Sequence, residues 1–96
     1  MPEVHRLSKP EIVFKIFPRE PSHHSPHFHI EYQGKKMSVS IDALEEMDGY
    51  LPANAKRRAF KWAEENQDFL RCAWDAIMSG KKPPKFEEKA EEKSHR

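Results

Sequence analysis

Four of the chain's six histidines fall within seven positions, at His23, His24, His27 and His29 of "PSHHSPHFHIEY". Imidazole is the side chain best suited to ligate a transition metal or to move a proton near neutral pH. His27 and His29 alternate with Phe28, Ile30 and Tyr32, the period of a half-buried strand. In a strand both rings leave from one face with Cα atoms about 6.5–7 Å apart. Such a pair can converge on one ion at nitrogen–metal distances of about 2.0–2.1 Å.

The elements that would position these rings come next. "EIVFKIF" (11–17) is rich in β-branched and aromatic residues and ends at Pro18. Pro18, Pro21 and Pro26 mark a loop that carries His23 and His24, as extra ligands, a lid or solvated residues. "HFHIEY", "QGKK" and "MSVSID" together predict a hairpin, with Gly34-Lys35 as a two-residue turn that places glycine first. That turn sets Tyr32 against Met37, Ile30 against Val39 and Phe28 against Ile41. On the other face Glu31 meets Ser38, His29 meets Ser40, and His27 meets Asp42. A His27, His29 and Asp42 set, with positions left open, is the kind of site that zinc or ferrous iron occupies. Without a metal, the same three residues suit general acid–base work, with Asp42 orienting a ring. The bland alternative is a hydrated polar face on which His27 donates to Asp42.

"ALEEMDGYLP" (43–52) reads as a short irregular strand that adds a fourth member to the sheet. From Pro52 the period becomes helical. Asn54 is a candidate cap, followed by the stripe Ala55, Ala59, Trp62 and Ala63. A break at "ENQD" with Asp68 as a second cap precedes the stripe Phe69, Leu70, Ala73, Trp74, Ile77 and Met78. Gly80 and the double proline at 83–84 end it. Trp62, Trp74 and Phe69 are expected to cover Phe28, Ile30 and Ile41, and Cys72 to be buried. Arg57, Arg58 and Lys61 share one helix sector beside Phe60, a candidate surface for RNA phosphates or an acidic partner. The competing reading is an ordinary solvent face with Lys61 paired to Glu64 or Glu65.

The fold class that follows is α+β: a three- or four-stranded antiparallel sheet with one face covered by two C-terminal helices. Ninety-six residues suffice for one domain, placed at 1–80, with 81–96 a charged tail, disordered or loosely helical. Residues 1–10 read as a polar lead-in. Residues 1–80 carry 11 Lys/Arg against 12 Asp/Glu, so the folded part is near neutral and strong general nucleic-acid binding is disfavoured. One cysteine excludes an internal disulfide and a cysteine-cluster zinc site. With no leader and no spanning run in sight, a cytoplasmic setting is expected, with no membrane partner.

"PHFHIEY", "VSID", "GYLP" and "RRAFKWAEENQDFLRCAW", in that order, resemble the domain of unknown function 4160 family of small bacterial proteins. The resemblance covers roughly residues 10–80 and departs at His23-His24 and at the charged tail. It implies no established activity. It does imply a small protein encoded alongside, hence a two-protein, toxin–antitoxin-like module in which paired histidines near cations would suit RNA cleavage. The alternatives are a non-catalytic binding module and a metal-binding protein. A homodimer that covers sheet edges is a further expectation.

Overall fold

β-Branched and aromatic residues alternate with polar ones through the first half of the chain, and these segments form one antiparallel sheet. The computed structural model describes residues 3–17 and 25–82. The strands are β1 (Glu3–Leu7), β2 (Ile12–Lys15), β3 (His27–Tyr32), β4 (Lys35–Ser40) and β5 (Glu46–Gly49), adjacent in chain order. Two helices follow, α1 (Ala53–Glu65) and α2 (Gln67–Met78). The α+β class holds, but the sheet has five strands rather than three or four. His23, His24 and residues 83–96 of the charged tail lie outside the described residues.

The additional strand is β1, in the segment expected to be a lead-in. His5 stands opposite Phe14 and Leu7 opposite Ile12, with an irregularity between Glu3 and His5. The His5 ring lies flat on Trp62, centroids 4.4 Å apart and planes 8° from parallel. Arg6 pairs with Glu3 and with Glu11, bracing the β1–β2 hairpin from its outer side. The hydrogen bond from Arg6 holds the Glu3 carboxyl below the usual carboxylate range. That small contribution is present above the unfolded value and is lost as pH falls through the folded one.

The β3–β4 register differs from the expected one by two residues. His27 faces Ser40, Phe28 faces Val39, His29 faces Ser38, Ile30 faces Met37 and Tyr32 faces Lys35. The turn is Gln33-Gly34, with φ of 47° and 81°. Positive φ at both central residues is the type I′ geometry, whose twist matches the flanking strands. A shift of two residues keeps every side chain on its expected face, so the core pattern survives. Phe28, Ile30, Met37 and Val39 are buried, with Ile12, Phe14 and Ile16 of the β2 region beside them.

Ala55, Ala59, Trp62 and Ala63 of α1 and Leu70, Ala73 and Ile77 of α2 close over that face. The Trp62 ring packs within it, its centroid 4.5 Å from that of Phe14 and 6.1 Å from that of Phe69. The expected caps shift: Pro52 and Asn66 hold the N-cap positions, without side-chain caps, and Asp68 lies in the first turn of α2. At the far end Gly80 N–H donates to Ile77 O and Lys81 N–H to Ala76 O. This is the Schellman arrangement, which satisfies carbonyls the helix leaves unpaired. Cys72 is exposed, not buried as the sequence suggests.

Gly49 closes the sheet against β4. Its φ is +92°, and a Cβ there would stand 2.1 Å from Lys36 O, inside the van der Waals limit of backbone that cannot yield. At Gly34, φ +81°, an added Cβ meets nothing within 4 Å. Gly34→Ala should therefore cost only the left-handed penalty of about 1–2 kcal/mol. Gly49→Ala should cost at least about 3 kcal/mol, since the clash adds to that penalty. Gln33→Asn, a better type I′ residue, should raise the melting temperature. Thermal and urea unfolding of the three variants checks the order.

Candidate functional site

His27 and His29 project together from β3, as their alternation requires, with ring centroids 5.2 Å apart. Their surroundings differ. His27 is only 1% exposed, with the Trp74 ring centroid 5.2 Å away. Its Nδ1 lies 2.8 Å from the Ser25 carbonyl oxygen. A carbonyl only accepts, so the neutral ring carries its proton on Nδ1 and its lone pair on Nε2. His29 is half-buried, with Nδ1 3.3 Å from Ser38 Oγ and the Phe17 ring edge-on at 4.7 Å. A wet polar face does not describe this surface: Val13 and Ser38 are buried as well, and Lys15 is held 3.1 Å from Glu31 across the β2–β3 ladder.

Asp42 does not stand opposite His27. The register places Ser40 there, and the Ile41 N–H, donating to Pro26 O, continues the ladder past it. The Asp42 carboxylate instead accepts from Arg71 Nη2 at 2.7 Å. The Gln67 side-chain amide donates to the carbonyls of Ile41 and Asp42, so this turn is bound to α2. Asp42 thus ties the β4–β5 connection to a helix. Among the described residues, no group of three or more His, Cys, Asp and Glu side chains is placed to hold a metal ion. The expected His27, His29 and Asp42 set is not assembled by this fold.

The basic cluster on α1 is also partly committed. Arg58 Nη1 and Nη2 donate to the Pro10 and Ser8 carbonyls, at 2.9 and 3.0 Å, and so hold the β1–β2 turn against the helix. Lys61 pairs with Glu65 on the exposed side, and Arg57 reaches Asn54 Oδ1 at 3.5 Å. Phe60, expected beside the cluster as a contact residue, packs partly buried against the core. Sequence reasoning missed the structural role of Arg58 because its partners are backbone oxygens of a segment not recognised as a hairpin.

Reasoning from the sequence also missed the other end of the sheet. β5 pairs with β4, and among the described residues it pairs on that side only. Tyr50, directly after it, is 63% exposed, more than any other large hydrophobic residue described. Glu45 and Glu46 precede it on the surface, and Glu46 accepts from Lys56 at 2.8 Å. No helix among the described residues is long and apolar enough to cross a membrane.

Comparison with known proteins adds one finding. A family model, the domain of unknown function DUF4160, matches residues 12–75, two thirds of the chain. No curated protein and no solved structure matches. The matched segment spans β2 to α2, and so includes both histidines of β3 and the β5 edge.

The separate duties of these residues predict distinct costs. His27→Ala removes a buried, bonded ring and should lower stability by about 2–4 kcal/mol. Asp42→Ala breaks an exposed ion pair and should cost less than about 1 kcal/mol. Arg58→Ala should destabilise more than Arg57→Ala, because only Arg58 supplies the two carbonyl bonds. Urea unfolding measures all four.

Proposed function

The chain belongs to the DUF4160 family, and we propose that it works there as the binding member of a two-protein, toxin–antitoxin-like module. The protein encoded beside it is the partner. The observation that carries this reading is the β5 edge: a strand paired on one side, followed by a tyrosine that is 63% exposed. An edge strand presents unpaired N–H and C=O groups, and an added strand from a partner satisfies them while alternate side chains set specificity. Tyrosine beside such an edge is an effective anchor, because its ring buries a large area at low entropic cost. Glu45 favours a partner segment with basic residues.

Catalysis is the weaker reading. His27 is buried and bonded to its own chain, Asp42 is paired with Arg71, and Arg58 is spent on a turn. Little of the expected acid–base or phosphate-binding equipment is left to meet an RNA strand. The surface of Arg57, Arg58 and Lys61 is correspondingly the weaker docking face.

Coexpression with the adjacently encoded protein tests the reading. The pair should co-purify as a stable complex. Tyr50→Ala should weaken it by at least tenfold, as loss of a central aromatic anchor does, and Glu45→Lys should weaken it further. Both side chains are exposed, so melting temperatures should not change. Full affinity in the double variant, or a complex lost instead on Arg57→Glu, would remove the β5 edge from the account.

A further inference from the structure

Residues 42–50 carry no buried side chain, although both flanks are anchored in the core. Ile41 and Leu51 are each 1% exposed, whereas Leu44 and Met47 are half-buried and the rest of the stretch is exposed. β5 lies within it, and of the five described strands it alone contributes no buried residue. A segment with few buried apolar contacts opens at lower cost than the core around it. Hydrogen bonds hold this one. Tyr50 N–H donates to Lys36 O at 2.9 Å, Leu44 N–H to Ser40 O at 3.0 Å and Glu45 N–H to Ser40 Oγ at 3.0 Å. From α2, the Gln67 amide donates to the Ile41 and Asp42 carbonyls at 2.7 and 3.1 Å.

The joint between this stretch and α2 is loose. Leu44 takes φ of 55°, which a branched side chain rarely adopts. Arg71 Nη2 bonds Asp42, but its buried Nε meets no acceptor among the described residues. A cleft of about 230 Å³ lies there, lined by Ile41, Asp42, Gln67, Asp68 and Arg71. The Arg71–Asp42 and Lys56–Glu46 pairs are exposed, and such pairs contribute little. We infer that residues 42–50 form a strap that lifts from β4 as one unit, hinged at Ile41 and Leu51, and that Gln67 is the clamp that holds it shut. A strand bound along β5 binds only the closed strap, so it slows opening by a factor of one plus its concentration over Kd. That coupling rests on the β5 reading above; the strap and its clamp do not.

Amide hydrogen exchange of the free full-length chain tests the strap. The Leu44, Glu45 and Tyr50 amides should be protected about tenfold less, or lower still, than Phe28 and Ile30 of β3, a strand paired on both sides. Gln67→Leu and Gln67→Glu each remove the donor and should speed exchange at those three amides by about tenfold, the loss of two hydrogen bonds. Phe28 and Ile30 should not change. Glutamate is favoured in the first turn of a helix, so Gln67→Glu leaves α2 itself intact. Equal protection in the strap and in β3, or strap exchange unmoved by either variant, would overturn the inference. With the proposed partner at about 100 times its Kd, the Tyr50 amide, which bonds inward to β4, should exchange about 100-fold more slowly. Tyr50 exchange unchanged by a bound partner would overturn the β5 reading alone, with the strap upheld by the free-chain result.

Discussion

The register between β3 and β4 governs the rest of this structure, and two backbone angles set it. Gln33 and Gly34 both take positive φ, which fixes a type I′ turn and seats Tyr32 against Lys35. From that seat the pairing runs on to His27 and Ser40, and the ladder continues to Pro26 and Ile41. The same register leaves Asp42 beyond the strand, where α2 claims it through Arg71 and Gln67. A local conformational preference at a turn thereby separates a carboxylate from two histidines that the sequence appeared to join.

The core over the opposite face explains why the protein tolerates so polar a composition. Trp62 does much of the work, with Phe14 and His5 against it and Phe69 at its edge. Ala55, Ala59 and Ala63 are buried beside Trp62 on one face of α1. His5 contributes as a flat ring on an indole, which is why a polar residue is found on the core side of an edge strand. Helix and sheet are then tied by hydrogen bonds from Arg58 and Gln67 to backbone carbonyls, bonds that leave no trace in residue patterning.

Much of this was legible in the residues. The alternation of Phe28, Ile30, Met37 and Val39 against His27, His29, Ser38 and Ser40 assigns each to its face, and the stripes of both helices are found where period 3.6 puts them, except that Met78, at the end of α2, is exposed. The register was not legible, because alternation has period two and is blind to a shift of two residues. The choice then fell to turn type, where a glycine at Gly34 fits either the first or the second central position. β1 was hidden by its irregularity between Glu3 and His5 and by a histidine turned toward the core. Cys72 lies two residues from Leu70, about 200° around a helix, and so belongs to the opposite face from the stripe that surrounds it in sequence.

His27 and Asp42 of the expected catalytic set are held by Ser25 and Arg71, and the sheet ends at β5, which among the described residues pairs on one side. Residues that looked chemical are bound into the fold, while β5 and Tyr50 are presented outward. Amide hydrogen exchange, recorded with and without the proposed partner, reads that edge residue by residue. The account predicts that protection on complex formation concentrates at residues 46–50. Protection confined to α1 around Arg57 and Lys61, or to β3 around His29, with residues 46–50 unchanged, would contradict it.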